Sequence, residues 1–220
     1  MKIGFVGAGA IGQGLTRLAT AAGYSVTLSN SRGPDSLRDL AWGLGVRAAT
    51  VGDAVEESDI SVLTIPFNRL LDIDPAPFTG RVVLDTNNYY PTRDGQITEL
   101  DDNLTTTSQL VQQHLRGATV VKAFNAIMAA DLVAPFGLPW RRRALPIAAD
   151  DDAALAIAAD LHERIGFDVV PTGGLADSWR FERAKPAYCI PLDRDGLIAA
   201  LAAAERDVEL PHNSWKRDVR

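Results

Sequence analysis

Cysteine is nearly absent from the sequence, which contains only Cys189 among 220 residues. A single cysteine excludes an internal disulfide and a cysteine-based metal cluster, and it favours a reducing compartment, of which the cytoplasm is the simplest. Histidine is also scarce, and its three copies lack the spacing of metal ligands. We therefore predict no metal site and expect all three histidines at the surface: His114, His162 and His212.

The sequence also has few positively charged residues relative to acidic ones, and it has no long apolar run. Lysine and arginine total 22 against 28 acidic residues, a formal net charge of -6, and the longest basic run is the triplet Arg141, Arg142 and Arg143. A nucleic-acid partner is thereby excluded, because phosphate binding needs a clustered basic surface. Glycines interrupt the apolar amino terminus, and no apolar run reaches membrane length. We expect a soluble, unprocessed protein with no membrane partner.

Short apolar runs that alternate with helical patterns make up most of the chain. Runs rich in Val, Ile and Phe, too short for helices, predict strands at 2–6, 24–28, 60–65, 81–85, 119–123, 144–148 and 167–170. Apolar residues at helical spacing predict helices at 11–22, 35–44, 106–115 and 152–165. Asp150 is the predicted N-cap of the last of these helices, because a carboxylate there accepts from free backbone N–H groups.

This alternation predicts the α/β class, with a doubly wound, mostly parallel sheet of the Rossmann NAD(P)-binding type. We predict that residues 1–172 form this dinucleotide-binding domain. Two glycines at 173 and 174 end the alternation. Residues 173–220 then predict a short carboxyl-terminal helical cap and tail, with an alanine-rich helix at 196–205, that is not an independent domain.

A glycine-rich motif, Gly7-Ala8-Gly9-Ala10-Ile11-Gly12, connects the first predicted strand to the first predicted helix. Gly7 permits a tight turn, Gly9 lets the backbone approach a pyrophosphate, and Gly12 lets helix and strand pack closely. The helix N-terminus attracts the anion. The alternative is a glycine-rich turn that only packs tightly, but the strand, helix and spacing favour dinucleotide binding.

The residues after the second predicted strand favour NADPH over NADH. An NAD site usually has a carboxylate there for the ribose 2′-hydroxyl, whereas this chain has Ser29, Asn30, Ser31 and Arg32. Hydroxyl and amide groups can donate to a 2′-phosphate, and Arg32 can pair with it through its planar fork. The alternative is a polar loop in which Ser31 or Asn30 caps the next helix.

Several segments together resemble the coenzyme F420-dependent NADP oxidoreductase family. They are residues 3–34, 62–66, 120–125 and 174–178, so the resemblance extends over most of the chain to about residue 182. It implies reversible hydride transfer between NADP(H) and a deazaflavin, coenzyme F420, and some relatives reduce a flavin instead. It also implies a homodimer. The prolines Pro186 and Pro191 break the continuous helix that we would expect in members that use the deazaflavin.

Strand ends at the carboxyl edge of the sheet predict the rest of the site. Thr64 and Asn87 could bind a carboxamide or ribose, and Ile65 and Pro66 could form an apolar wall for a nicotinamide ring. Ala123 ends the fifth predicted strand, Asn125 follows shortly after it, and both would join them. Each of these residues could instead serve in strand-end packing or turns. We assign no catalytic residue, because transfer between two stacked rings needs no protein acid or base.

Other interpretations remain open from the sequence. Asp177, Ser178, Trp179 and Arg180 would fold over the ring site, with Trp179 stacking on the acceptor or filling a dimer contact. The basic triplet at 141–143 could meet the phosphate and glutamate tail of the deazaflavin, or it could be a solvated loop. An NADPH-binding redox sensor without turnover is the alternative to an enzyme. A reductase of imines or small carbonyls is a third possibility.

Overall fold

The fold is seen in a computed structural model that describes residues 1–133, 142–211 and 213–215. Eight strands form one sheet: β1 (Lys2–Val6), β2 (Ser25–Ser29), β3 (Arg47–Ala48), β4 (Ile60–Leu63), β5 (Val82–Asp85), β6 (Thr119–Lys122), β7 (Ala144–Ala149) and β8 (Asp168–Pro171). Their order is β3-β2-β1-β4-β5-β6-β7-β8. All neighbours are parallel except β6 and β7, which are antiparallel. The doubly wound, mostly parallel α/β fold is therefore confirmed.

Helices pack against both faces of this sheet. The α-helices of the described residues are α1 (Ala10–Ala21), α2 (Arg38–Leu44), α3 (Val51–Glu56), α4 (Pro91–Asp94), α5 (Thr98–Asp101), α6 (Thr107–His114), α7 (Ala129–Val133), α8 (Asp152–Arg164) and α9 (Arg194–Ala202). Short 3₁₀ helices occupy Pro34–Leu37, Phe67–Asp72, Ala76–Phe78 and Leu175–Phe181. Successive strands are added on one side of β1 up to β3 and on its other side from β4 onward. The crevice typical of this fold class therefore lies above the carboxyl ends of β1 and β4.

Local chemistry explains where the helices begin. The Thr106 hydroxyl and the Gln109 side chain form a capping box at the start of α6. Asp151, rather than the predicted Asp150, caps α8 by accepting from the backbone N–H of Ala154 at 2.8 Å. Asp150 instead accepts from the backbone N–H of Leu175 at 2.9 Å. One aspartate therefore starts the helix, and its neighbour fixes the segment that follows β8.

The carboxyl-terminal segment packs on the sheet. Phe181, Tyr188 and Leu197 share one buried cluster with strand residues Ala148 of β7 and Val170 of β8. The predicted helix at 196–205 lies at Arg194–Ala202 and is capped by Asp193. Its packing on the sheet brings the preceding turns to the carboxyl edge, where they contribute side chains to the site described below.

Candidate functional site

The glycine-rich turn after β1 is fixed by close contacts. Gly7 has φ +115°, and a Cβ there would lie 2.3 Å from the carbonyl oxygen of Thr64. A Cβ on Gly12 would lie 2.2 Å from the carbonyl oxygen of Gly7. Both positions therefore require glycine, as the motif predicts. The Thr64 hydroxyl donates to the Gly7 carbonyl at 2.7 Å, so it supports the turn as well as lining the site.

Gly9 differs from the other two glycines, because a Cβ there would meet nothing within 4 Å. The space above it is open, and Gly9 is the N-cap of α1 without any side-chain cap. The exposed first turn of α1, which includes Ala10 and the half-buried Ile11, has backbone N–H groups available for an anion. An open cradle at a helix N-terminus fits a pyrophosphate.

In the loop after β2, some side chains form hydrogen bonds within the fold and others are free to contact a ligand. Ser29 is fully buried and donates its hydroxyl to the carbonyl of Phe5 at 2.8 Å, so the predicted phosphate contact from Ser29 finds no support. Asn30 closes a turn by accepting from the backbone N–H of Arg32 at 2.9 Å, and it also contacts Ser36. Ser31 and Arg32 are exposed. Within the described chain the guanidinium of Arg32 has no hydrogen bond or ion pair.

A cavity of about 710 Å³, the Arg32 cavity, joins these two loops. Its wall includes Gly7, Ala8, Gly9, Asn30, Ser31, Arg32, Thr64, Ile65 and Pro66. Arg69 also lines it, and its guanidinium lies 3.2 Å from the carboxylate of Asp72. Most of the predicted dinucleotide residues are thus brought together in one groove.

A second cavity of about 550 Å³, the Asn87 cavity, continues from the first. The two share Gly9, Thr64, Ile65 and Pro66. The second adds Ala10, Ile11, Asn87, Phe124, Asn125, Ile127, Met128 and the side chains described below. Ala123 does not line it, because its side chain is fully buried in the core. The residue that turns toward the cavity is its neighbour Phe124.

Asn87 and Asn125 place buried amides on the wall of this cavity. Asn87 is 2% exposed, and neither its Nδ2 nor its Oδ1 has a partner among the described residues. The Asn125 Nδ2 donates to Asn88 Oδ1 at 3.1 Å and to the Phe181 carbonyl at 3.0 Å, whereas its Oδ1 has no partner there. Unsatisfied buried amides are rare in proteins and indicate a ligand or water.

A buried lysine holds Asn87 in position. Lys122 Nζ donates to the Asn87 carbonyl at 2.5 Å, to Thr107 Oγ1 at 2.7 Å and to Asp85 Oδ2 at 3.2 Å. Ser108 also donates to Asp85 Oδ2, at 2.5 Å. Sequence reasoning missed this network. Its signal was present, because Lys122 and Asp85 end neighbouring strands and pair in register.

Phe124 lies under strain and is supported by a buried histidine. Its φ is +55°, an uncommon conformation for a bulky side chain that often marks a functional site. The ring of His162 stacks on it with centroids 3.6 Å apart and planes 4° apart. His162 is fully buried, so the expectation that it lies at the surface is wrong. Burial lowers its pKa from 6.5 to about 4, leaving a neutral ring behind the cavity.

The carboxyl-terminal turns complete the Asn87 cavity with Tyr188, Cys189 and Trp215. Tyr90 and Arg93 line the same wall, and the hydroxyls of Tyr90 and Tyr188 are hydrogen-bonded to each other. These residues were not predicted, because only tertiary folding brings together tyrosines 98 positions apart.

The segment that the sequence predicted over the ring site lies elsewhere. Trp179 lines a separate cleft, with the Arg180 guanidinium 4.5 Å from its ring centroid. Ser178 is fully buried, and Asp177 accepts from the backbone N–H of Gly174 at 3.1 Å. None of the four residues at 177–180 lines the Asn87 cavity. Their expected role over the ring is therefore corrected: Tyr188 and Trp215 occupy that wall.

The remaining predicted features are placed as follows. Arg143 is buried and lies 2.5 Å from Asp131, so the basic triplet is not a solvated loop throughout. Arg141 and His212 lie outside the described residues, and His114 is partly buried beside the Ile73 carbonyl.

Across residues 1–133, 142–211 and 213–215 there is no cluster of potential metal ligands. No helix in this part of the chain is long and apolar enough to cross a membrane.

Curated proteins offer one partial relative. Protein YjhV of Escherichia coli (strain K12) is 32% identical over 65 residues, which are 30% of this chain and 47% of that protein. The similarity thus spans about half the length of that relative, so it carries no whole-protein activity to this chain.

A family model and two solved structures are similar to large parts of this chain. Residues 2–89 match the family described as NADP oxidoreductase, coenzyme F420-dependent. The crystal structure of hypothetical protein SMa0349 from Sinorhizobium meliloti is 30% identical, with a TM-score of 0.78, over 89% of this chain and 96% of that one. A proposed F420-dependent NADP reductase from Arthrobacter sp. FB24 is 22% identical, with a TM-score of 0.70, over 81% and 87%. Over residues 2–89 the chain is therefore similar to the coenzyme F420-dependent NADP oxidoreductase family, and this match, together with the shared fold, indicates an NAD(P)-dependent oxidoreductase.

Proposed function

We propose that the protein transfers a hydride between NADPH and a deazaflavin or flavin. The observation that carries the choice of cofactor is the exposed guanidinium of Arg32, unpaired in the described chain, on the wall of the cavity that contains Gly9. No carboxylate ends β2, where an NAD site would need one for the ribose 2′-hydroxyl. At the end of β2, a 2′-phosphate would therefore meet the guanidinium of Arg32 and no carboxylate of that strand.

The two joined cavities fit an extended dinucleotide. Gly9 and the first turn of α1 would bind the pyrophosphate, because the space above Gly9 is open. Ile65 and Pro66, which line both cavities, would contact the nicotinamide ring, and the unpaired amide of Asn87 would bind its carboxamide. Bound NADPH supplies the hydride.

Room for a second flat ring supports an acceptor beside the nicotinamide. The Asn87 cavity, about 550 Å³, has the size of small-molecule sites and combines apolar Ile127 and Met128 with a few polar groups. Asn87 and Phe124 are held from behind by Lys122 and His162, so the wall is rigid before any ligand binds. Rigid positioning is the main contribution a protein makes to hydride transfer between two rings.

Replacing Arg32 tests the choice of cofactor. We expect Arg32→Ala to weaken NADPH binding by about tenfold to a hundredfold, since a charge-assisted contact contributes about 1.5 to 3 kcal/mol. NADH binding should change by less than about twofold, because NADH lacks the 2′-phosphate. Fluorescence titration of both cofactors measures the two dissociation constants.

Arg38→Ala is the matched control. Arg38 is an exposed arginine six positions along, paired with Asp35 at 2.7 Å and absent from both cavities. It should leave both affinities unchanged. Equal losses of NADPH and NADH affinity in Arg32→Ala would refute the 2′-phosphate assignment.

A further inference from the structure

We infer that Tyr90 and Tyr188 form a hydrogen-bond donor site for the hydride acceptor, binding a carbonyl oxygen of a planar conjugated ring. The inference rests on the proposed function, because it assigns the acceptor to the Asn87 cavity. It adds two residues that determine acceptor binding and rate.

The geometry leaves one hydroxyl proton for a third group. The two phenols are hydrogen-bonded to each other, and both line the cavity. That mutual bond uses one of their two hydroxyl protons. The protein partner within reach of the second proton is the Cys189 thiol, which is hydrogen-bonded to Tyr188, and a thiol is a weak acceptor. A ligand carbonyl is a stronger acceptor for this proton.

The surroundings keep both phenols protonated and in place. Burial raises the pKa of Tyr188 and of Tyr90, so both remain donors throughout the neutral pH range. The Tyr188 ring packs against Trp215 at a centroid distance of 5.3 Å. The guanidinium of Arg93 lies 4.7 Å from the Tyr90 ring centroid and is itself held by Asp94 at 2.7 Å. The donor pair is thus positioned before the acceptor binds.

A donor at a carbonyl oxygen favours hydride arrival. Transfer breaks a C–H bond of the dihydronicotinamide, which is oxidised, and forms a C–H bond on a deazaflavin or an N–H bond on a flavin, either of which is thereby reduced. The acceptor's displaced π electron pair moves onto its conjugated nitrogen and carbonyl oxygen, and water supplies the proton that completes reduction. Donors aimed at developing negative charge lower the barrier more than they strengthen ground-state binding. Deazaflavins and flavins share this carbonyl edge.

Binding and rate measurements on Tyr188→Phe and Tyr90→Phe test the inference. Coenzyme F420 and riboflavin are titrated by fluorescence onto the protein saturated with NADP, and hydride transfer from NADPH is followed in single turnovers. We expect each variant to weaken binding of the acceptor by up to about tenfold and to slow transfer by about tenfold to a hundredfold. NADP affinity should stay within about twofold. The probe whose binding falls identifies the acceptor class.

Tyr89→Phe is the control, because Tyr89 precedes Tyr90 but its hydroxyl contacts Asp101 and Ile97 and it does not line the cavity. It should bind and react as wild type. Acceptor binding that depends on Tyr188 without any turnover supports the inference and rejects the proposed function. Turnover unchanged in both phenylalanine variants, or no binding of either probe to wild type, overturns the inference. If Tyr188→Phe does not fold, the test rests on Tyr90→Phe, because Tyr90 is only half-buried and its replacement should be tolerated.

Discussion

Two glycines of one turn are constrained in different ways at the scale of the single residue. Gly7 has φ +115° and no room for a methyl group beside Thr64. Gly9 has φ -74° and open space where a methyl group would lie. The first glycine therefore serves the fold, and the second serves a ligand that approaches the backbone closely.

Alanine at each position should separate the two roles. We expect Gly7→Ala to lower the free energy of unfolding by about 2 kcal/mol or more, from the left-handed backbone and the contact with Thr64. Gly9→Ala should cost less than about 1 kcal/mol of stability yet weaken NADPH binding tenfold or more. Urea denaturation and NADPH titration of both variants measure these effects. A stable Gly7→Ala, or a Gly9→Ala with wild-type affinity, would contradict the assignment.

At the same scale, the sequence predicts residue types better than side-chain directions. The glycine motif and Arg32 could be placed because their chemistry depends on the backbone and on exposure. The direction of the Ser29 side chain could not be predicted. β2 extends one residue further than expected and includes Ser29, so that its hydroxyl donates to the carbonyl of Phe5. Ala123 and Phe124 are adjacent, and only the backbone angle at Phe124 decides which of them faces the cavity.

At the scale of elements, α8 supports the strand end after β6 through the stack of His162 on Phe124. In the unfolded chain this histidine takes up a proton near pH 6.5, whereas in the folded protein it does so only near pH 4. Unfolding is therefore coupled to proton uptake between these values. The folded state loses stability as the pH falls through this window, and the loss is complete below about pH 4.

This linkage predicts a measurable loss in acid. We expect the free energy of unfolding to fall by about 3 kcal/mol between pH 7 and pH 4 through His162 alone, since one pKa unit corresponds to about 1.4 kcal/mol. His162→Gln should be less stable at pH 7 but should lose less on acidification. His114→Gln, at a partly buried histidine on α6, should retain the wild-type loss. Identical pH profiles for wild type and His162→Gln would contradict the buried neutral ring.

The elements themselves were largely predictable. Buried apolar runs gave seven of the strands to within two residues at either end, because strands covered on both faces are continuously apolar. β3 was missed, since two residues carry no periodicity. His162 was misjudged for a related reason. A polar residue beside Glu163 looks exposed until the position of α8 against β6 is known.

At the scale of the whole molecule, the sheet order decides which loops meet. The carboxyl ends of β1, β2, β4, β5 and β6 converge, and the alternating pattern of the sequence was sufficient to predict that edge. The contribution of the carboxyl-terminal turns was not predictable, because it depends on how residues 182–192 fold back to place Tyr188 against Tyr90. The homodimer and the cytoplasmic location stay predictions.

The most direct test of hydride transfer mixes the protein anaerobically with NADPH deuterated at C4 of the dihydronicotinamide, and with coenzyme F420 or riboflavin. Loss of NADPH absorbance is followed in the stopped flow with deuterated and undeuterated NADPH, and reduced coenzyme F420 is analysed for deuterium. We predict oxidation that requires the acceptor, and rates at least about tenfold higher with NADPH than with NADH at subsaturating concentrations. Reduced coenzyme F420 should retain deuterium on carbon, whereas with riboflavin, whose N–D bond exchanges with water, the transfer should show as a slower rate with deuterated NADPH. No acceptor-dependent oxidation, or equal rates with the two cofactors, would contradict the account.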